Sequence, residues 1–448
     1  MFRAVARIFR TPDLRRKIGF TLLIVALFRL GSFIPSPFVD FQNVQTCLAA
    51  NSNTSGLYEL VNLFSGGALL QLSIFALGIM PYITASIIVQ LLRVVIPHFD
   101  TLYKEGQAGQ SKLTQYTRYL TIGLGVLQST TLITVARSGA LFGSNSSTAS
   151  CTELITDAGQ TWYGILLMVI TMTAGTGIIM WMGELVTERG IGNGMSLLIF
   201  TSIAARFPSA LQSVQASKGW PIFFLTVAVG VVIMGLVVFV EQSQRRIPVQ
   251  YAKRMVGRRT YGGNNTYIPI KVNMAGVVPV IFASSLLYLP ALIAQFNEPK
   301  TGATGKAAIP APWVQWITDN LVKGDGPYYM VLYFLLIVGF TYFYVAITFN
   351  PEEVADNMKK YGGFIPGIRA GRPTAEYLDY VLTRITLPGS LYLGLIALIP
   401  LVALGLVGAT QNFPFGGTSI LIIVGVGLET VKQIDSQLQQ RHYEGLLR

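Results

Sequence analysis

The sequence predicts an all-α polytopic membrane protein built on ten spanning helices, and three observations carry that prediction. Only 12% of the 448 residues are charged while 52% are hydrophobic, and the mean hydropathy is +0.53. A soluble chain carries roughly 25% charge, so this one has too little to cover itself against water. Ten runs are long and apolar enough to cross about 30 Å of hydrocarbon: 18–35, 72–96, 119–136, 162–182, 196–216, 220–241, 273–296, 328–349, 385–408 and 415–431. Lys and Arg are distributed to one side. With the N-terminus in the cytoplasm, the inner segments hold 25 of the 33, and the outer ones hold Arg137, Arg206, Lys218, Lys300, Lys306 and Lys323. That asymmetry places both termini in the cytoplasm. No strand pattern at barrel spacing appears, so helices must satisfy the backbone in lipid.

The first run follows a basic start that ends at Lys17 and has no small-residue cleavage site, so it reads as a permanent span. It contains Arg29. The second run is the least ordinary. "FSGGALLQLSIFALGIMPYITASIIVQ" (64–90) opens on a Gly pair and holds Pro81 in mid-run, with Gln71, Ser73, Thr84 and Ser86. A plain anchor needs none of these. The fifth run is the weakest, interrupted by Arg206 and Pro208. The interiors of the spans carry no Asp or Glu, and Glu429 sits at the cytoplasmic edge of the last. They carry small hydroxyls and amides instead, among them Thr84, Gln128, Asn273, Ser284 and Ser285. Taken singly, helix packing accounts for such residues.

This inventory weighs against two function classes. A secondary transporter also uses broken helices, but an ion-coupled one keeps an intramembrane acid. An intramembrane hydrolase needs a nucleophile and base or a metal cluster. The two histidines, His98 and His442, stand in cytoplasmic loops without the neighbours of a metal site. "GIGNG" (190–194) lacks the preceding strand and full spacing of a phosphate loop. No catalytic residue, metal or cofactor is expected.

Two inner loops exceed what topology requires. "EQSQRRIPVQYAKRMVGRRTYGGNNTYIPIKVN" (241–273) has seven basic residues and no acid after Glu241. Alternation around 247–251 and 261–270 suits a hairpin with a Gly-Gly-Asn-Asn turn. "NPEEVADNMKKYGGFIPGIRAGRPTAEYLD" (350–379) is Gly- and Pro-rich and holds Arg369 at a turn. Loops of this length are functional or disordered. A docking arm and a basic loop lying on anionic membrane lipids are the competing readings. RNA is a natural partner for the former, since phosphate contacts are largely independent of sequence.

Several stretches together carry a resemblance. "FSGGALLQLSIFALGIMPYITASIIVQLL", "GELVTERGIGNGMSLLIF" (183–200), "RRIPVQYAKR" (245–254), "KVNMAGVVPVIFASS" (271–285), "NPEEVADN…GGFIPGIR" (350–369) and "FGGTSILIIV" (415–424) resemble segments of the SecY family, in the family's order and over nearly the whole chain. The SecY family comprises the channel subunits of the bacterial preprotein translocase. The resemblance implies two inverted five-helix halves, 1–217 and 218–448, around an hourglass pore. It implies a protein-conducting channel in the bacterial cytoplasmic membrane rather than an enzyme. It also implies a short plug half-helix at about 60–73, including Leu60, Phe64, Ser65, Gly66, Gly67 and Leu70. Matched positions imply a pore ring of Ile79, Ile83, Ile199, Ile281 and Ile422, although each Ile read alone is ordinary bundle core. A lateral gate would carry Thr84, Gln128, Ser284 and Ser285, closed by weak hydrogen bonds between helices. The loops 242–272 and 350–384 would dock partners through Arg258, Arg259 and Arg369. The implied partners are SecE and SecG, the SecA motor, a translating ribosome, and secretory preproteins with their signal sequences.

The two cysteines, Cys47 and Cys151, fall in the outer segments 36–71 and 137–160. Both segments are polar, so neither cysteine is expected in a core. A disulfide on that oxidising side and two free thiols stand as alternatives.

Overall fold

A computed structural model of the chain describes residues 12–50, 65–137, 154–251, 254–256, 259–261, 266–296, 312–317, 320–321, 326–407 and 417–444. Each predicted run overlaps a helix over at least part of its length. In chain order the helices are α1 (Pro12–Gly31), α2 (Phe41–Ala50), α3 (Met80–Val95), α4 (Pro97–Lys104), α5 (Gln107–Arg137), α6 (Asp157–Gln160), α7 (Trp162–Arg189), α8 (Gly194–Lys218) and α9 (Trp220–Gln242). Then follow α10 (Val278–Phe296), α11 (Pro312–Ile317), α12 (Pro327–Thr348), α13 (Pro351–Lys360), α14 (Arg372–Val407) and α15 (Gly417–Glu444). Among the described residues six helices are long and apolar enough to cross a membrane, or seven if α3 and α4, bent by 102°, count as one.

The second run departs from expectation. Its helix begins at Met80, and residues 65–79 form successive turns instead of a half-helix or the start of a span. Two causes are local. Pro81 lies in the first helical positions, where its missing N–H costs nothing, so it starts α3 rather than interrupting it. Before it, Gly66, Gly67, Leu72 and Gly78 all have positive φ, which no right-handed helix accommodates. Leu60 and Phe64 lie outside the described residues.

These turns are held on several sides. The Ser36 N–H donates to the Leu72 carbonyl at 3.0 Å and the Ile74 N–H to the Ile34 carbonyl at 3.0 Å. The exit of α1 is thereby paired to the turns. The same connection then pairs with the approach to α7, through Asp40 N–H to the Leu154 carbonyl and Thr156 N–H to the Phe38 carbonyl, both 3.0 Å. Asp40 next caps α2, accepting from the N–H groups of Gln42 and Asn43. Helix α2 presents Val44 and Cys47, three apart and so on one face, to a cluster with Leu69, Leu72, Leu132 and Met168. Cys47 is therefore a core residue, contrary to the sequence reading, and it is disulfide-bonded. Cys151 lies outside the described residues.

Between α9 and α10 the chain builds β1 (Gln244–Tyr251), β2 (Arg254–Val256), β3 (Arg259–Tyr261) and β4 (Thr266–Lys271). A further strand, β5 (Gly363–Phe364), follows α13. β1 pairs antiparallel with β4 from Gln244↔Lys271 to Val249↔Thr266. β2 pairs with β3 through Val256↔Arg259, so only residues 257 and 258 separate them. The Gly-Gly-Asn-Asn sequence, 262–265, lies outside the described residues. β1 also pairs with β5, through Gln250↔Phe364 and Tyr251↔Gly363, giving the strand order β4-β1-β5. The two basic loops thus share one sheet. Its buried face, Ile247, Val249 and Ile270, packs with Met358, Ile365, Val345 and Leu378 on α13, the following turn, α12 and α14.

Candidate functional site

Four helices that are distant in sequence bring isoleucines to one place. Ile79 precedes the first turn of α3, Ile199 is in the second turn of α8, Ile281 in the first turn of α10 and Ile422 in the second turn of α15. All four belong to one buried cluster with Phe28, Phe75, Met182 and Leu198, and Ile83 packs against its side. Their exposures of 2%, 6%, 9% and 2% mean that no water-filled passage runs between them. The cluster joins helices from both ends of the chain.

The turns of 65–79 supply part of the same wall, because Phe75 stacks on Phe28 at 6.0 Å. The approach depends on small residues. At Gly175 in α7 a side chain would run into the Ile74 carbonyl oxygen. Gly66 has a φ of +69°, and a Cβ there would lie 3.2 Å from Cα of Ser202 in α8.

Of the hydroxyls expected to form a seam between helices, two bond within their own helix. Thr84 Oγ1 donates to the Met80 carbonyl at 2.9 Å, and Ser284 Oγ to the Ile281 carbonyl at 2.9 Å. Ser285 Oγ is buried without a hydrogen-bond partner. Gln128 is half-buried on α5. A hydroxyl contact between helices does occur, Ser129 with Thr173 at 3.4 Å, but it links α5 to α7. Helix α10 nevertheless packs against both α3 and α5.

The basic candidates are more scattered. Arg369 is exposed beyond the turn at Ile365–Ile368, and its carbonyl accepts from Thr374 Oγ1 at 2.8 Å. Arg258 lies outside the described residues, and Arg259 opens β3. Arg246 stacks over Tyr267 at 4.9 Å, fixing one charge on the sheet's open face.

Three polar residues carry more structure than the sequence suggested. Arg118 on α5 grips Glu184 on α7 with two hydrogen bonds of 2.8 and 2.7 Å. Glu241, at the end of α9, accepts 2.6 Å from Asn273, which also donates to the Gly276 carbonyl at 3.2 Å. Arg29 in α1 donates to the Gly66 carbonyl at 2.8 Å. The available sequence signal was the same for the first two: an acid at the edge of an apolar run, whose partner lies 66 or 32 residues away.

The SecY family model matches residues 73–431. The chain belongs to the SecY family. It is 65% identical over 452 residues to the "Protein translocase subunit SecY" of Streptomyces galbus and 64% identical over 455 residues to that of Streptomyces coelicolor, with 100% of each chain covered. Among solved structures it resembles one described as "The structure of a protein conducting channel", with a TM-score of 0.61 at 19% identity, covering 93% of this chain and 91% of that one. It also resembles "Sec61 in the Canine ribosome-channel complex from the endoplasmic reticulum", with a TM-score of 0.58 at 19% identity and the same coverage. The SecY/Sec61 fold therefore holds over the chain, and the protein is a multi-pass membrane protein.

Because Thr84 and Ser284 bond only their own helices, Thr84→Ala and Ser284→Ala should each change stability by less than about 1 kcal/mol. Chemical denaturation in detergent measures this, and a loss above about 2 kcal/mol would show a partner across the seam.

Proposed function

We propose that this chain is the protein-conducting subunit of a Sec-type translocase and not an enzyme. It passes unfolded secretory proteins across the bacterial cytoplasmic membrane and releases transmembrane segments sideways into lipid. The observation that carries this reading is the single apolar constriction made by Ile79, Ile199, Ile281 and Ile422 from four helices, with Ile83 beside it. A ring of isoleucines blocks ions at rest and yields to a polypeptide, because it makes no directional bond that must be broken. The ten helices span the membrane in two five-helix halves, 1–217 and 218–448, with both termini in the cytoplasm. The segment that includes Ser65, Gly66, Gly67 and Leu70 is the resting stopper, and the seam of α10 against α3 and α5 is the lateral gate. Membership of the family supports these assignments.

The chain supplies no energy of its own. The SecA motor or a translating ribosome drives transport, and SecE and SecG are the membrane partners. The relative in a ribosome-channel complex supports the ribosome as a partner. Arg258, Arg259 and Arg369 meet these partners, Arg259 from β3 of the two-stranded β2-β3 sheet and Arg369 from beyond the turn after β5. A precursor stalled in transit should crosslink to probes at positions 79, 83, 199, 281 and 422, and not to lipid-facing Leu225. Crosslinks of equal strength at Leu225 would overturn the constriction as the path.

Reversing charge at Arg369, or at Arg258 and Arg259 together, should weaken binding of SecA and of ribosomes by about tenfold at physiological salt. Unchanged affinity in both variants would mark the loops as lipid-facing.

We also infer that Cys47 is bridged to Cys151. Cys47 is disulfide-bonded and the chain has two cysteines. Mass spectrometry of non-reduced peptides should find the 47–151 pair, and alkylatable thiols at both positions would refute it.

A further inference from the structure

Between β4 and α10 the chain passes from the basic sheet to the isoleucine cluster within a few residues. Ala275 is buried in the sheet's hydrophobic underside with Ile247, Val249 and Ile270. Val277, two positions later, packs against the cluster that holds Ile79, Ile199, Ile281 and Ile422. The Val277 carbonyl accepts from the Ile281 N–H at 3.3 Å, in the first turn of α10. The short connection thus has one hydrophobic anchor in the sheet and the next beside the constriction.

One side chain spans that connection. Asn273 Nδ2 donates to Glu241 Oε1 at 2.6 Å and to the Gly276 carbonyl at 3.2 Å. The first bond ties the exit of β4 to the end of α9, next to the pairing of the Val272 N–H with the Ser243 carbonyl at 3.0 Å. The second closes the turn, where Gly276 has a φ of +61°, a conformation that glycine adopts at little cost. Two acceptors face the amide nitrogen, which sets the amide's orientation. Its Oδ1 is then buried without a hydrogen-bond partner among the described residues, an arrangement that costs stability. The two donor bonds are what the amide contributes in return. Helix α14 covers it: a Cβ at Gly389 would lie 2.5 Å from the Val272 carbonyl oxygen and 3.8 Å from Asn273 Cα. Asn273 is 3% exposed, so water has little access to replace either bond.

We propose that Asn273 is a positioning residue: held by Glu241, it fixes the turn through which a displacement of the basic sheet is passed to Ile281 and the constriction. The proposal rests on the channel reading above and names the joint between the docking arm and the part that must open. The joint is specific in its chemistry. Glu241 serves only as an acceptor, so glutamine can take its place and alanine cannot. Serine at 273 offers one short donor where two acceptors wait.

The test uses the full chain in its native membrane assembly. An Ala275→Cys reporter reads the turn, because a position 2% exposed should react slowly with a membrane-impermeant maleimide added from the cytoplasmic side. Asn273→Ser and Glu241→Ala should each raise the labelling rate by about tenfold, the worth of one hydrogen bond to a carboxylate. Glu241→Gln should label like the parent. The Asn273→Ser/Glu241→Ala pair should label no faster than the faster single variant, because both remove the same bond. Effects that multiply, or no rise in either single variant, would overturn the clamp. A Val249→Cys reporter in the sheet's underside should stay slow in every background, and its labelling would signify general loosening and overturn the clamp as well. Should Asn273→Ser fail to assemble, Glu241→Ala against Glu241→Gln decides alone. The link to the constriction is read on the same variants without reporters. Asn273→Ser and Glu241→Ala should slow transport of a secretory precursor by about tenfold and leave SecA affinity within about twofold of the parent. Transport that falls in step with affinity would make the clamp a mere support of the docking surface and overturn the link, as would unchanged transport. A parent assembly that moves no precursor fails the channel reading, and with it the link, while the labelling still decides the clamp.

Discussion

Backbone that is not helical cannot survive at membrane depth unless protein supplies its hydrogen-bond partners, and the rest of this structure is arranged around one such stretch. Residues 65–79 run as turns among α1, α7 and α8. The exit of α1 supplies two backbone pairings, and Arg29 supplies a side-chain donor. Gly175 and Gly66 let the stretch lie directly against its neighbours. A continuous helix would have met the backbone requirement more simply. The irregular alternative leaves α3 short and puts Ile79 at its very beginning, where it reaches the isoleucines of α8, α10 and α15.

The constriction and the seam follow the same economy of bonding. The isoleucines meet by apolar contact, and the hydroxyls of Thr84 and Ser284 are occupied by their own helices. In lipid, association gains little from the hydrophobic effect and depends on packing. A closed state built this way resists ions strongly while remaining separable by a ligand with comparable packing to offer. The firm polar contact described nearby, Arg118 with Glu184, joins α5 to α7 and leaves α10 free of it.

Much of this was legible in the sequence, for identifiable reasons. The helices were visible because hydrocarbon demands long apolar runs, and the isoleucine set was visible only through resemblance, since an isoleucine in a bundle carries no signal of its own. What stayed hidden depends on distance along the chain. Pro81 looked like a break within a span because its role at a helix start depends on where the preceding turns end. Cys47 looked exposed because its segment is polar, yet Val44 and Cys47 share the one face of α2 that turns inward. The pairing of β1 with β5 joins residues more than a hundred positions apart, and periodicity in one loop says nothing about the other.

That last pairing has a mechanical side. The central strand belongs to one basic loop and its neighbour to the other, and their common hydrophobic underside is seated on α12 and α14. A body that leans on either loop therefore leans on both. The load passes into α12, which packs along α10, the helix that closes the seam against α3 and α5. The sheet is in this sense a handle with a single shaft. Whatever grips it is connected by a few packed side chains to the wall that must move, without any contact of its own inside the membrane.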